Sequence, residues 1–553
     1  MNLNKSLTYS ILILIFLCNS LFAQVVYEPL NKDVYNFLRR LSQKGLVIFN
    51  DQIRPLSRKY IAEKLIESEN KTNQLTPLEN EELKFFKADY LNEIDLLQNK
   101  STDHLTYFQK DPAGRWRFFS FGSEAFKMNA GIILGYEIGS RDNEKLTHLW
   151  NGVYFRGYIS DVVGYSFDFR DNTEEGKTID QDKSFSPITG VNERNDQIIY
   201  PYPSNKIEYE EAKAVLATDW KWGSIAIGKD FLEWGYGDNG LLVLSQKAPS
   251  FPFIRLDVNP VDWLSFSYIH AWLASDVVDS ANIYYTELGN PRFSYREKYL
   301  AQHTLTLRPW KGFDLSLGES VIYSDKLEVL YLIPVSFFRL ADHYLSRQRN
   351  AAGSNAQFFA SISSKGQLKN THLFGTLFID EITLNGLFDS YKQRNQLGFA
   401  FGSSVTDLPI DNLTLKLEYT KIFPFVYRHY ISTTTYQSAG YVMGHWMGEN
   451  ADQVYASLNY RFIRGLDASA WFRFIRKGED GPIEGTFEQP QPSFLSGLRR
   501  NYTYFGGHVK FEIMHELFVR ARFELMKTSA QQEDLSFIDK NLNEFYLAVY
   551  YGL

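Results

Sequence analysis

The sequence is constrained most by a unit that recurs through its C-terminal half: an alternating run of apolar and polar residues, a tight turn, and another alternating run. Residues 303–318 (HTLTLRPWKGFDLSLG) are one example, with Pro309 and Gly312 in the turn. Leu305 and Leu307 fall on one face of the first run, and the threonines that flank them fall on the other. Because successive side chains of an extended strand point to opposite faces, each unit predicts an antiparallel hairpin.

Alternating runs and short turns continue along the chain from Trp116 to the C-terminus. The clearest further runs are YSFDFR at 165–170, LTLKLE at 413–418, VRARF at 519–523 and the terminal residues 545–553. Short turns are predicted at 218–223, 259–263, 309–312, 464–465 and 514–516. About 440 residues follow Trp116, and about 25 residues for each strand with its share of the loops predict about 16–18 strands.

The first residues have the features of a secretory signal peptide. Lys5 supplies a positive charge, residues 11–17 (ILILIFL) form an apolar core too short to span a bilayer, and residues 21–23 (LFA) offer a cleavage site. Cys18 is the only cysteine, and the leucine before it is larger than a lipoprotein signal normally allows. We therefore predict a signal peptide over residues 1–23. The mature chain then has no cysteine for a disulfide, a thiolate metal site or a nucleophile.

Secretion, composition and strand number together indicate a membrane-embedded sheet. Aromatic residues make up 16 % of the chain, and outer-membrane barrels carry girdles of aromatic side chains at both membrane interfaces. No other stretch approaches the roughly 18 apolar residues that a membrane helix needs. We predict a mainly β fold, a large transmembrane antiparallel β-barrel in contact with outer-membrane lipid. A soluble β-sandwich or propeller is the alternative.

The lengths of the connections predict which end of the barrel faces which side of the membrane. Outer-membrane barrels have tight turns in the periplasm and long loops at the cell surface. Three long polar stretches, at 171–204, 274–296 and 476–499, are therefore predicted to be external, and the tight turns are predicted to be periplasmic.

Residues 24–110 differ from the rest because their apolar residues follow a helical period. Three amphipathic helices are predicted, at 33–46, after Ser57, and over 76–98, the last with a Thr-Pro-Leu-Glu capping box. Apolar stripes of this kind bury against a partner. We therefore predict a periplasmic helical bundle over residues 24–110, against or inside the mouth of a barrel that comprises residues 111–553.

Charge and motif content argue against several functions. The net charge is −7 without a long basic tract, so no nucleic-acid partner is expected. There is no Gly-x-Ser-x-Gly elbow and no glycine-rich phosphate loop, and His515-Glu516 lacks the second histidine of a zinc helix because Val519 stands there. We predict no catalytic residues, no metal site and no cofactor, and we expect a monomer.

Two passages, 233–256 and 444–460, contain most of the candidate ligand-binding residues. In the first, a tryptophan lies among three glycines, which suit either a backbone bend or contact with a ligand. In the second, an aromatic face and polar groups could hold a sugar, or could equally be structural. The arginines among the candidates would suit an acidic polysaccharide but are also common in large barrel lumens. The candidate ligand-binding residues are Trp234, His445, Trp446, Glu449, Arg347, Arg349 and Arg428.

Together with the helical opening at 38–47 (LRRLSQKGLV) and 54–65 (RPLSRKYIAEKL), these two passages resemble the Wzi family of capsule-assembly outer-membrane proteins. The resemblance extends over essentially the whole mature chain and is most specific at Trp234-Gly235-x-Gly237. It implies a helical periplasmic bundle, a barrel of about eighteen strands, and a role in holding or organising capsular polysaccharide at the cell surface. Capsular or extracellular polysaccharide is then the expected partner. A porin or substrate-specific channel and an outer-membrane barrel enzyme are the alternatives.

Overall fold

The structure is a computed structural model that describes residues 22–98, 100, 103–160, 162–191, 205–349, 353–383, 389, 391 and 394–552. The core of the predicted signal peptide and Cys18 lie outside these residues. None of the helices within the described ranges is long and apolar enough to cross a membrane.

Eighteen antiparallel strands form a closed barrel. In chain order they are β1 (Phe126–Arg141), β2 (Glu144–Ile159), β3 (Val163–Glu175), β4 (Lys206–Trp220), β5 (Gly223–Asp230), β6 (Phe251–Val261), β7 (Leu264–Leu273), β8 (Lys298–Trp310), β9 (Phe313–Ser324), β10 (Asn355–Lys365), β11 (Thr371–Glu381), β12 (Gln396–Thr406), β13 (Leu413–Ile422), β14 (Ala451–Ile463), β15 (Leu466–Lys477), β16 (Arg500–Met514), β17 (Leu517–Gln531) and β18 (Phe537–Tyr551). Each strand pairs with the next, and β18 pairs back onto β1 from Glu544↔Arg141 to Tyr551↔Leu134. The predicted mainly β barrel and its strand number are confirmed, and closure excludes the soluble sandwich.

The barrel carries apolar side chains on its outer face and polar side chains on its inner face, the opposite of a soluble protein. In the hairpin β8–β9, Leu305 and Leu317 are 41 % and 58 % exposed on the outside, whereas Thr304 and Ser316 are each 1 % exposed on the inside. Apolar surface left in water costs about 25 cal/mol per Å², and contact with lipid removes that cost. The alternation predicted in this hairpin is therefore confirmed, with apolar side chains outward and polar side chains toward the lumen, as in a membrane barrel.

One end of the barrel, the turn end, has short connections, and tryptophans cluster there. Trp222, Trp263 and Trp310 lie at or beside the turns β4–β5, β6–β7 and β8–β9, and each is about half exposed. Gly312 and Gly465 occupy turns with φ of +78° and +79°, a left-handed conformation that glycine adopts without a Cβ clash. The opposite end, the loop end, has connections of up to about 30 residues. The tryptophans match the predicted interface girdle.

Within the described residues, four α-helices precede the barrel: α1 (Val34–Gln43), α2 (Arg58–Glu69), α3 (Pro77–Asp89) and α4 (Leu91–Leu97). The predicted caps are present. Ser57 Oγ accepts a hydrogen bond from the Tyr60 N–H at 3.1 Å and so begins α2. Thr76 and Glu79 exchange the two bonds of the capping box at the start of α3, at 3.2 and 2.9 Å. Each cap satisfies helical N–H groups that have no partner within the helix.

The helix predicted over 76–98 is two helices, because the backbone leaves the helical conformation at Tyr90. The break directs Glu93 of α4 toward α2, where the Arg58 Nε donates to its carboxylate at 2.7 Å. Arg58 is 2 % exposed, binds Glu28 as well, and lies 4.1 Å above the Tyr90 ring. The helix thus ends beside a buried cation, a contact that a helical apolar period alone does not reveal.

The helical segment (residues 34–97) fills the turn end of the barrel. Its apolar stripes pack around Leu38 and Leu65, which are fully buried. Its polar groups bind the inner wall and the turns of the barrel. Examples are Lys59 Nζ to Asp219 Oδ2 at 2.8 Å, Lys365 Nζ to the Phe49 carbonyl at 2.9 Å, and Arg40 to Asp407. The segment therefore closes this end of the lumen.

A hairpin crosses the predicted boundary between residues 110 and 111. His104–Lys110 pairs with Trp116–Gly122, and the last residues of this hairpin pair with Lys127–Ala130 at the start of β1. At the N-terminus, Phe22–Gln24 pairs antiparallel with the end of β4. Backbone hydrogen bonds on both sides thus tie the helical segment to the barrel.

We expect Arg58→Met to loosen the helical segment, because it leaves the buried carboxylates of Glu28 and Glu93 without their cation. Removing one partner of a buried ion pair costs about 3–5 kcal/mol. Hydrogen exchange of the amides in α2 and α4 measures the free energy of local opening. Lys64→Met is the matched control, since its pair with Glu67 lies near the surface and is expected to change that free energy by less than about 1 kcal/mol. Equal protection in both variants would contradict the assigned role of Arg58.

Candidate functional site

Two long connections at the loop end turn back into the lumen and pack against each other. The first inner loop (residues 231–250) joins β5 to β6, and the second inner loop (residues 423–450) joins β13 to β14. Apolar side chains from both loops form one core against the barrel wall, with Val243, Leu244 and Met443 fully buried. The two passages that carry the family resemblance therefore meet in space.

Several backbone groups of the first inner loop are bound by the second. Ser245 N donates to the Met443 carbonyl at 2.8 Å, and the Tyr427 and Tyr436 hydroxyls donate to the carbonyls of Leu242 (2.7 Å) and Val243 (2.8 Å). A buried backbone carbonyl needs such a partner, because leaving it unpaired costs several kcal/mol. The loops consequently depend on each other for their conformation.

The glycines of the first inner loop let the two loops approach closely. Gly240 has a φ of +131°, and a Cβ added there would lie 2.5 Å from the His445 imidazole. Gly235 and Gly237 also have positive φ, at +129° and +135°. Side-chain-bearing residues rarely adopt these conformations, so the glycine spacing has a structural explanation in backbone bends.

Trp234 anchors the first inner loop to the wall. Its side chain is fully buried, and the indole Nε1 donates to Thr304 Oγ1 on β8 at 2.8 Å. Its backbone N–H donates to the Leu244 carbonyl at 2.9 Å. In this conformation the indole is closed to solvent, and its predicted contact with a ligand stays a prediction.

His445, Trp446 and Glu449 lie together in the second inner loop, and their polar atoms bind other protein groups. Burial lowers the pKa of His445 to about 3, so its imidazole is neutral at neutral pH. The Trp446 Nε1 donates to the Asn239 carbonyl at 2.7 Å. Glu449 accepts from Arg428 Nη1 at 2.7 Å, and burial raises the pKa of its carboxyl despite that cation. These contacts hold the loop in place, and a saccharide role for the three residues stays a prediction.

The predicted arginines do not form one group. Arg428 also donates to the Gly481 carbonyl at 2.6 Å and so links the second inner loop to the connection between β15 and β16. Arg347 lies on the exposed side of a fifth helix, α5 (Phe338–Arg349), in the connection from β9 to β10. The side chain of Arg349 lies outside the described residues. Of the seven candidates, five are thus brought together, chiefly in a buried core.

An exposed aromatic surface lies in the second of the long polar stretches of the sequence. Residues 274–297, the outer hairpin, join β7 to β8 beyond the end of the barrel, and Tyr284–Tyr285 pairs with Pro291–Arg292. Tyr285 is 70 % exposed, and Tyr284, Phe293 and Tyr295 are each more than half exposed. The sequence signal for this surface is the aromatic and hydroxyl-rich run FSYR at 293–296, within the second long polar stretch.

A second aromatic group lies at the rim beside the inner loops. Tyr430 of the second inner loop and Phe487 of the loop between β15 and β16 are 61 % and 50 % exposed, with ring centroids 6.0 Å apart. The Arg394 guanidinium lies 5.2 Å from the Phe487 ring centroid. The loop end therefore offers rings next to a cation, the combination that can hold an acidic sugar.

Comparison with known proteins agrees with this architecture. Wzi of Escherichia coli, described as a carbohydrate-binding β-barrel of the outer membrane involved in group 1 capsule assembly, aligns over 96 % of this chain and 100 % of its own at a TM-score of 0.54 and 13 % identity. Two Pseudomonas aeruginosa barrels, OpdK solved with vanillate and OccK7 (OpdD), each align over 77 % of this chain and 98 % of their own at 11 % identity, with TM-scores of 0.43 and 0.41.

Sequence comparison defines the family. No curated protein matches the chain significantly. The profile described as capsule assembly protein Wzi matches residues 212–535, which is more than half of the chain and includes both inner loops. The family resemblance found in the sequence is confirmed: the chain belongs to the Wzi family of capsule assembly outer-membrane proteins.

Proposed function

We propose that this protein is a non-catalytic outer-membrane barrel that holds capsular or extracellular polysaccharide at the cell surface. The observation that carries the proposal is the outer hairpin, where four aromatic rings stand in solvent beyond the barrel. Membership of a capsule-assembly family supports it. Tyrosine rings offer flat apolar area with few rotatable bonds, so they stack on sugars at a low cost in conformational entropy.

The obstructed lumen favours this proposal over a porin. The two inner loops pack a hydrophobic core inside the barrel, and the helical segment closes the turn end. A channel uses an open ring of charges for selectivity. Such a ring would be open here only if the hydrophobic core moved out of the lumen. A barrel enzyme would need a nucleophile, a base and a carboxylate that converge at the rim. No residue is proposed here for any of these roles.

The proposal includes an orientation, with the helical segment and the turn end in the periplasm and the outer hairpin outside. Long external loops and short periplasmic turns are the rule in such barrels. Protease added to intact cells is expected to cut within the outer hairpin and to leave the helical segment whole, as followed by antibodies to epitopes in each. Loss of the helical epitope from intact cells would reverse the orientation.

Deleting the gene is expected to release polysaccharide without reducing its synthesis, because the protein is proposed to bind the product and not to make it. The measurement is cell-bound against released polysaccharide in the deletion strain, with the total as control. A severalfold rise in the released fraction at constant total agrees with the proposal. Unchanged partitioning together with lost uptake of a small solute would instead favour a channel.

The outer hairpin is tested by the double substitution Tyr285→Ala and Tyr295→Ala. If these rings stack on the glycan, purified protein should bind the strain's polysaccharide at least about tenfold more weakly, as is usual for aromatic anchors. Tyr107→Ala is the matched control, since Tyr107 is 56 % exposed on the hairpin at the turn end. Equal binding by the double variant and the control would remove the outer hairpin from the site.

A further inference from the structure

Part of the lumen is not filled by the inner loops. An inner cavity of about 730 Å³ lies between the helical segment and the wall formed by β2–β3 and β14–β18. An outer cavity of about 370 Å³ lies nearer the loop end, along β1–β4 and β15–β18. The two cavities meet at the same side chains, Arg473, Arg520, Arg522 and Glu524. The inner volume is in the range of small-molecule sites.

Positive charge is in excess where the cavities meet. Arg473 Nη2 donates to Glu524 at 2.6 Å, and Arg520 Nη2 donates to Glu137 at 2.9 Å. Arg522 lies 3.5 Å from the Glu524 oxygen that Arg473 already occupies. Three guanidinium groups therefore stand beside two carboxylates. Arg522 shares Glu524 with Arg473 and with the Trp471 Nε1, and its charge also acts on Glu544, which is paired with Arg141.

The other acidic groups that line the two cavities already have partners. In the inner cavity, Asp89 is paired with Arg117 at 3.2 Å, Glu512 with Arg464 at 3.3 Å, and Asp238 with Lys416. In the inner cavity, Asp33 is paired with Lys510 at 2.6 Å and Glu516 with Lys32 at 3.5 Å. In the outer cavity, Glu174 is paired with Lys183 at 2.8 Å and Glu544 with Arg141 at 2.9 Å. Asp180, also in the outer cavity, accepts a hydrogen bond from the Lys183 backbone N–H at 3.0 Å.

Two of the three guanidinium groups are accessible from the cavities and stand beside aromatic faces. The side chains of Arg520 and Arg522 are 38 % and 28 % exposed, whereas that of Arg473 is 4 % exposed. The Arg522 guanidinium lies 6.0 Å from the Trp471 ring, and Trp150 and Tyr550 line the same cavity. A guanidinium is suited to bind a carboxylate through two parallel hydrogen bonds, and the indoles offer flat surfaces to a sugar ring.

We propose that Arg522, with Arg520 beside it, forms a lumenal binding site for the carboxylate of a hexuronic acid. The sugar ring would lie in the inner cavity against Trp471. Arg473 would act indirectly, because its ion pair with Glu524 makes that carboxylate less available to Arg522. This site shares no residue with the outer hairpin, so it can be present or absent independently of polysaccharide attachment there.

The test is calorimetric titration of the full-length protein in detergent with sodium glucuronate, with glucose and sodium acetate as parallel probes. Wild-type protein should bind glucuronate, and Arg522→Gln should weaken binding at least about tenfold, the effect of losing a charge-assisted hydrogen-bond donor. Arg500→Gln is the matched control, because Arg500 is exposed at the loop end of β16. It should leave the affinity unchanged.

A second variant moves the affinity in the opposite direction. Glu524→Gln removes the competing carboxylate, so glucuronate should bind more tightly than to wild type. Heat-modifiable migration on a gel verifies that each variant is folded, and the Glu524 variant still tests the site if the Arg522 variant does not fold. Absence of glucuronate binding to wild type, equal binding by acetate, or weaker binding by Glu524→Gln would each overturn the proposal.

Discussion

A strand in hydrocarbon has no water to satisfy its backbone amides, and each unpaired group there costs several kcal/mol. The structure meets this requirement by pairing β18 with β1, so that every strand has two neighbours. Lipid outside then dictates apolar side chains on one face and leaves the other face free to be polar. Long connections at one end, tryptophans at the other, and a polar lumen all depend on that closure.

A barrel of this many strands encloses more space than the side chains of its own wall can fill. The chain fills it from both ends, with the helical segment at the turn end and the two inner loops at the loop end. The inner loops build an apolar core in a polar lumen, with Trp234 hydrogen-bonded to the wall through Thr304. Binding of a polymer at the rim is compatible with this arrangement, because a long glycan held outside needs a rigid platform and not a passage.

The barrel could be predicted from the sequence because lipid makes the period-two pattern strong in nearly every strand. The caps of α2 and α3 were also predictable, since Ser57, Thr76 and Glu79 act on groups only three residues away. The contacts of the candidate site could not be predicted in this way. Trp234 finds its acceptor 70 residues away, and Tyr427 finds Leu242 at a separation of 185 residues. A tryptophan among glycines looks the same in a sugar site and in a buried anchor until such distant partners are known.

The mutual dependence of the inner loops also constrains the order of assembly. The first inner loop leaves the barrel after β5, but the tyrosines and the carbonyl that satisfy it belong to residues 427–443, beyond β13. Eight strands, β6–β13, therefore lie between the apolar run at 241–244 and the residues that cover it. Bringing together such distant residues is slow, because much of the chain must first be ordered. We therefore expect the apolar core of the lumen to form late in folding. Until it forms, the run at 241–244 can be bound by a chaperone or can drive aggregation.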